Sequence, residues 1–226
     1  MLVSNLVKSL FIVATMGFVS AAVAQPQPPG GIRDVTALNP PQAVENDGKI
    51  EVLEFFGYGC IHCANLEPRL EAWAKQQPAD VKLKRIPVAF ASRSIDSIPI
   101  FYTLEAMGLQ EKLHQKIFDA ANVENVILGN PATLNTWLQK QGVDAKKYEE
   151  VQKSFSVQNK IARARKMTTD YAIQSTPTII VNGRYAVQQN AGPDRLFANM
   201  DQLIAEARAA NKAPAPIAAP AAAIKK

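Results

Sequence analysis

The spacing of apolar residues predicts alternating strands and helices in the first part of the chain. Residues 50–56, with the sequence IEVLEFF, form a short apolar run before a glycine, which is typical of a buried strand. Residues 64–77 carry apolar side chains at helical spacing, and residues 81–88 form a second strand-like run. This order of strand, helix and strand indicates a parallel pair joined by a right-handed crossover.

A long helical block follows. Its helical segments cover residues 97–107, 111–121, 131–141 and 144–171. In the last segment, predicted to be one continuous helix, Tyr148, Val151 and Phe155 form an apolar stripe. A block of this length is too long for a loop, so we expect a helical subdomain.

Strand character returns after the helical block. Residues 178–181, with the sequence TIIV, are predicted to be a strand, and Asn182-Gly183 is a strong hairpin signal before a return strand at 184–188. A final amphipathic helix begins near Pro193. The whole pattern describes a small α/β domain that is split by a helical insertion.

These patterns set the expected domain boundaries. The α/β domain is predicted to cover residues 49–92 and 172–210, and the helical insertion to cover residues 93–171. Residues 25–48 are predicted to be a flexible leader and an entry segment, and the flexible leader is the Pro/Gln/Gly-rich stretch at residues 25–31. Residues 211–226 contain an Ala-Pro tract without a helical stripe and are predicted to be a disordered tail.

The first 24 residues have the three-part layout of a secretory signal peptide. A short start with one charge, Lys8, precedes an apolar and uncharged run over residues 10–24 that ends in the small-residue site AVA. The alternative is a membrane anchor, but the strongly apolar run is short for the roughly 20 residues that a membrane helix needs. We therefore expect cleavage after Ala24 and export to an oxidising compartment.

Composition narrows the classes of function. The chain has 226 residues, of which 47% are hydrophobic, and this excludes a mostly disordered or fibrous protein. The net charge is +5, and the one local basic cluster, at residues 160–166, falls on a predicted helix face. We therefore expect no nucleic-acid partner. Two cysteines and two histidines would all have to converge to form a zinc site, so no metal is expected either.

The two cysteines lie three residues apart, where the first predicted strand leads into the first helix. Cys60 is then at a helix N-terminus, where free N–H groups and the helix dipole lower the pKa of a thiol. Cys63, one turn inside, is expected to be more buried and to stay protonated. Cys60 would thus be the attacking and attackable sulfur, and Cys63 would resolve mixed disulfides. The alternatives are a metal site and a structural disulfide, which across so short a loop stabilises by only about 2 kcal/mol.

Polar residues near the cysteines are candidates for supporting this chemistry. His62 can place a donor or a positive charge near Cys60 and so favour the reduced form, or it is an exposed imidazole without a role. Glu54 is polar in an otherwise apolar strand. It is either a solvent-facing edge residue or a buried proton acceptor for Cys63. Glu67, one turn beyond Cys63, is a second polar neighbour, although exposed helical glutamates are common.

Two motifs carry a resemblance to a known family. The stretches VLEFFGYGCIHC (residues 52–63) and STPTIIVNGRY (residues 175–185), with the helical insertion and the signal peptide, resemble the thioredoxin-fold oxidoreductases. Among these they resemble the DsbA family of periplasmic disulfide oxidases of Gram-negative bacteria, over most of residues 32–210. The resemblance implies an α/β thioredoxin fold with an inserted all-helical domain. Well-known members have proline where this chain has Ile61, and this dipeptide tunes the redox potential.

The resemblance also implies roles for individual residues. Cys60 matches the family's nucleophilic cysteine and Cys63 its buried partner. Glu54 matches the buried acid on the preceding strand. Pro177 matches the cis-proline that faces the disulfide, and Thr176 before it would bind substrate through main-chain hydrogen bonds.

The implied function is a periplasmic thiol:disulfide oxidoreductase that donates the Cys60–Cys63 disulfide to newly exported proteins through a mixed disulfide at Cys60. A membrane reoxidase of the DsbB type would restore the disulfide, and no cofactor is expected because the dithiol carries the electrons. A monomer is favoured, since residues 25–48 leave no obvious room for an added dimerisation domain. The alternatives are an isomerase or reductase on the same fold, and a chaperone-like binding module without redox turnover.

Overall fold

The computed structural model describes residues 32–45, 47–90, 95–190 and 192–212. The predicted signal peptide, residues 1–24, lies outside them, as do residues 25–31 of the predicted leader and residues 213–226 of the predicted tail. The strands and helices are, in chain order, β1 (Val35–Ala37), β2 (Ile50–Phe56), α1 (Ile61–Gln76), β3 (Val81–Pro87), α2 (Ser97–Ala106), α3 (Gln110–Asn122), α4 (Pro131–Lys140), α5 (Ala145–Gln152), α6 (Phe155–Asp170), β4 (Thr178–Val181), β5 (Tyr185–Gln188) and α7 (Pro193–Lys212). The predicted class, α/β with an inserted block of helices, is confirmed.

Five strands form one mixed sheet in the order β1-β5-β4-β2-β3. β2 is parallel to β3 and antiparallel to β4, so the predicted crossover through α1 is present. Every residue of β2 is buried because helices cover both faces of the sheet. Ile50 and Val52 pack with α1 and α7 on one face, whereas Leu53 and Phe55 pack in the core that includes the helical insertion. By strand alternation, Glu54 lies on the α1 face of the sheet.

The helical insertion consists of α2 to α6, between β3 and β4. The prediction of one helix over residues 144–171 is wrong, because Ser154 has an extended backbone and separates α5 from α6. The break also changes the helical phase. Tyr148 is buried, but the side chain of Phe155 is 82% exposed, so the predicted apolar stripe does not include it.

Two further differences concern the ends of the domain. β1, in the predicted entry segment, is three residues long and pairs with β5 about 150 residues later in the chain. So short a strand has too few residues for a periodic pattern, and its pairing is not local. α7 continues to Lys212, two residues into the predicted tail. Of the helices in the described residues, none combines the length and the apolar character that crossing a membrane requires.

Candidate active site

The two cysteines lie where β2 leads into α1. Cys60 is the N-cap of α1, with an extended backbone, and its sulfur accepts a hydrogen bond from the backbone N–H of Cys63 at 3.3 Å. Both cysteines are free thiols, so the structure represents the reduced protein. The two side chains differ in burial, since Cys60 remains 4% exposed and Cys63 is fully enclosed. Cys60 is therefore the sulfur that an outside thiol can reach.

The surroundings shift the pKa values of the two thiols in opposite directions. The pKa of Cys60 falls to about 5, chiefly because the Cys63 thiol donates to its sulfur, and this outweighs the effect of burial. The Thr176 side chain and the backbone N–H groups of Cys63 and His62 contribute further hydrogen bonds. The pKa of Cys63 is raised, first by burial and then by the hydrogen bond to Cys60 and its charge. At neutral pH, Cys60 is a thiolate and Cys63 is a thiol.

The segment before β4 lies against Cys60. The Thr176–Pro177 peptide bond is cis, and both residues are partly exposed. The Cys60 thiol, when protonated, donates to the Thr176 carbonyl at 3.3 Å. The structure thus brings Thr176, Pro177 and the cysteines together at one edge of the sheet.

His62 is exposed in the first turn of α1. Its backbone N–H is one of the groups that lower the pKa of Cys60. The structure therefore places the main chain of His62 at the sulfur. Its imidazole is at the surface, where a substrate protein could contact it.

Glu54 lies beneath the cysteines and is completely buried, which excludes the solvent-facing alternative. Neither of its carboxyl oxygens has a hydrogen-bond partner among the described residues, and Arg85 Nε is 3.7 Å from Oε2. Burial and then the charge of Glu67 raise its pKa, while Arg85 opposes the shift and Cys60 adds to it. Glu54 also raises the pKa of Cys63 electrostatically. A carboxyl group with a raised pKa thus lies close to both sulfurs.

A buried polar network extends from Glu54 into the fold. Arg85 Nη2 donates to Glu67 Oε1 at 2.5 Å and to Glu71 Oε2 at 2.7 Å. Glu67, for which the sequence allowed an exposed position, is buried and also faces His114, with 3.4 Å between Oε2 and Nε2. On the other side of the His114 ring, the Tyr58 hydroxyl is 3.0 Å from Nδ1. The network therefore joins the strand, α1 and the helical insertion.

Sequence reasoning did not single out Arg85, His114 or Tyr58. A signal for Arg85 exists, because it is the residue that pairs with Glu54 in the parallel register of β2 and β3. His114 gives no such signal, since it is on the apolar side of α3 beside Leu113 and Phe118. Among the described residues, no group of three or more His, Cys, Asp or Glu side chains could hold a metal ion.

The fold and the paired thiols define a thiol:disulfide oxidoreductase of the thioredoxin class. The DSBA-like thioredoxin domain family matches residues 51–203, which is more than half of the chain. The chain therefore belongs to the DsbA-like family, and its reaction is dithiol/disulfide exchange.

Individual relatives agree with this assignment. The chain is 39% identical over 185 residues to a thiol:disulfide interchange protein DsbA of Burkholderia cepacia, covering 81% of this chain and 85% of that protein. It is 33% identical over 210 residues to the protein of the same name from Pseudomonas aeruginosa, covering 92% and 99% of the two chains. The crystal structure of Pseudomonas aeruginosa DsbA superposes with a TM-score of 0.73, at 33% identity and over 80% of this chain and 95% of that one. The reduced DsbA1 of Neisseria meningitidis gives a TM-score of 0.69 at 31% identity, over 80% and 96%.

Proposed function

We propose that this protein works as an oxidase, donating the Cys60–Cys63 disulfide to substrate proteins. The observation that carries the proposal is the stabilisation of the Cys60 thiolate, whose pKa falls to about 5. A disulfide whose reduced form is stabilised is a stronger oxidant. The dithiol carries the electrons, so the reaction needs no cofactor.

The first step is attack on Cys60. A substrate thiolate forms a bond to Cys60 Sγ, the Cys60–Cys63 bond breaks, and its electron pair moves to Cys63. The Cys63 thiolate is unstable because it is buried, and its raised pKa makes it take up a proton at once. The protonated Glu54 carboxyl is the buried acid that supplies this proton.

The second step releases the product. A second substrate thiolate attacks the substrate sulfur of the mixed disulfide, and Cys60 leaves as a stabilised thiolate. The substrate has then lost two electrons and gained a disulfide, and the enzyme is a dithiol. In reoxidation the same steps run backwards, so ionised Glu54 accepts the Cys63 proton.

The residues around Cys60 contact the substrate protein. The Thr176 main chain lies at the sulfur and offers hydrogen bonds to an extended segment of a substrate protein. Pro177 follows it, and Ile61, 46% exposed, provides an apolar surface beside the cysteine. His62 adds an exposed imidazole on the same helix turn.

Its site of action is the periplasm, after removal of residues 1–24 and cleavage following Ala24. The layout of the N-terminal sequence and the names of the bacterial relatives support this. The substrates are newly exported proteins with cysteines, a membrane protein of the DsbB type restores the disulfide, and the enzyme acts as a monomer.

The redox equilibrium of the mature protein with glutathione tests the proposal. A reduction potential of about −120 mV, as known for a DsbA, is the expected result. A potential of about −270 mV, as known for thioredoxin, would instead indicate a reductase. A Cys60→Ser variant distinguishes the chaperone-like alternative, because that alternative requires full activity without the reactive sulfur.

A further inference from the structure

His114 connects the helical insertion to the groups beneath the cysteines. It is on α3 and is only 5% exposed. One ring nitrogen faces Glu67 of α1, and the other faces the hydroxyl of Tyr58, two residues before Cys60. No step proposed above uses this buried ionisable ring.

The Tyr58 contact orients the His114 ring. The Tyr58 hydroxyl is 3.0 Å from Nδ1, so the opposite ring nitrogen, Nε2, faces Glu67 Oε2, 3.4 Å away. The distance is long for a hydrogen bond, and neither atom has another hydrogen-bond partner among the described residues. The contact between His114 and Glu67 is therefore mainly electrostatic.

The surroundings of His114 strengthen this contact. Aromatic rings pack edge-on or tilted around the imidazole, from β2, α2 and α3: Phe56, Phe101 and Phe118. The ionisable groups that face it are Glu67 from α1 and Tyr58 from the loop before α1, with Arg85 of β3 beyond Glu67. In such an apolar enclosure, one charge contact counts for more than it does at the surface.

Glu67 transmits the contact to Glu54. Burial alone would raise the pKa of Glu67, but hydrogen bonding and charge from His114, followed by Arg85, lower it. The negative Glu67 in turn raises the pKa of Glu54. Charge on Glu67 therefore keeps the proton on Glu54.

We propose that His114 is a positioning residue for thiol exchange: by holding Glu67 as an anion from the helical insertion, it sets the pH range over which the Glu54 carboxyl group exchanges its proton with Cys63. The proposal rests on the proton-transfer role proposed for Glu54. It assigns the insertion a part in the chemistry that sequence position alone does not reveal.

The test is the pH dependence of one defined step. In full-length mature protein, Cys60 is first joined to glutathione as a mixed disulfide. Cys63 then gives its proton to Glu54, attacks Cys60 Sγ and expels the glutathione thiolate, whose release is followed by stopped flow. The rate rises with pH as Glu54 ionises. In His114→Phe, Glu67 loses a partner and becomes neutral more readily, so we expect this inflection to move to lower pH by about one unit.

Three further variants control for folding and packing. His114→Gln has an amide that can donate to Glu67 and accept from Tyr58, so it should restore the wild-type inflection. Tyr58→Phe should shift the inflection in the same direction but by less, because the ring remains. Ile117→Val, a buried change on the same helix without polar contacts, should leave it in place.

The outcomes separate this proposal from the one on which it rests. If Glu54→Gln keeps the wild-type inflection, the role of Glu54 is wrong. If Glu54→Gln abolishes it but His114→Phe leaves it unchanged or moves it to higher pH, only the role of His114 is wrong. A shift in His114→Phe that His114→Gln does not reverse also overturns the proposal. Should His114→Phe fail to fold, Tyr58→Phe decides, and an unmoved inflection there counts against the role of His114.

Discussion

Cys60 and Cys63 have the same side chain and lie one helical turn apart, yet the structure shifts the pKa values of their thiols in opposite directions. Cys60 caps α1 and its sulfur accepts hydrogen bonds. Cys63 is enclosed, and a thiolate there would lie beside the thiolate of Cys60. One of two identical side chains is thereby made the nucleophile. The difference arises mainly at the junction between β2 and α1, and Thr176 and Glu54 add to it.

The lowered pKa of Cys60 predicts a pH-dependent stability of the reduced protein. The thiol ionises near pH 8.5 in an unfolded chain and at about 5 in the fold. The contribution of this ionisation to the free energy of unfolding is fully present above about pH 8.5 and is lost as the pH falls through 5. At pH 7 it amounts to about 2 to 3 kcal/mol.

Urea unfolding of the reduced and oxidised protein at pH 8 and pH 4 measures this contribution. The free energy of unfolding of the reduced form should exceed that of the oxidised form by less at the lower pH. The absorbance of the thiolate at 240 nm should show the same midpoint, and Cys60→Ala should lose it. A difference in stability between the two redox forms that is equal at both pH values would contradict the assignment.

The burial of Glu54 should lower the stability of the fold, although the carboxyl group serves thiol exchange. Its buried carboxyl group has no hydrogen-bond partner among the described residues, and desolvating such a group is costly. Glu54→Leu should therefore raise the free energy of unfolding at pH 7 by about 1 to 2 kcal/mol while slowing exchange. Urea unfolding measures the gain. Glu71→Leu, at a half-buried partner of Arg85, is the control and should change stability by less than about 1 kcal/mol. A less stable Glu54→Leu protein would show that the carboxyl group stabilises the fold.

At the scale of elements, the hairpin between β4 and β5 holds the segment that precedes β2. Gly183 has a positive φ of 63°, and its carbonyl accepts from the backbone N–H of Gln42 at 2.8 Å. A Cβ at Gly183 would lie 2.3 Å from the Gln42 carbonyl oxygen. The turn therefore requires glycine both for its backbone conformation and for this close approach of two chain segments.

Gly183→Ala should destabilise the protein by at least about 3 kcal/mol, because conformational strain and a backbone clash add together. Gly108→Ala is the matched control, since Gly108 also has a positive φ, 70°, but a Cβ there meets nothing within 4 Å. It should cost about 1 kcal/mol, the strain alone. Equal losses in the two variants, measured by thermal or urea unfolding, would show that the contact with Gln42 does not matter.

At the scale of the whole molecule, local patterns predicted most elements, and long-range contacts account for what they missed. Residues 50–56 were predicted as a strand with the bounds that β2 has, because a buried strand before a glycine is a strong local signal. β1 and the break at Ser154 were not predicted, since one depends on pairing with β5 and the other lies in a continuous helical pattern. The motif located Cys60 and Cys63, but His114 reaches the site from a helix 50 residues away.

The two parts of the chain share one hydrophobic core. Leu53 and Phe56 of the sheet belong to the same buried cluster as Leu113 and Phe118 of the helical insertion. The polar network through His114 crosses the same boundary. Because neither part closes its core alone, the sheet and the insertion should unfold together in a single transition.

The two tryptophans of the chain can test this cooperativity. Trp73 is on α1 and donates to Asp201 of α7 at 2.8 Å, so it reports on the sheet and its helices. Trp137 is buried on α4 and reports on the insertion. Urea unfolding of Trp73→Phe and Trp137→Phe, followed by the remaining tryptophan and by circular dichroism, should give coincident signals within each variant. If the fluorescence of Trp137 changed before the circular dichroism signal of the sheet, the insertion would be an independent folding unit, and its coupling to the cysteines through His114 could be lost without loss of the thioredoxin fold.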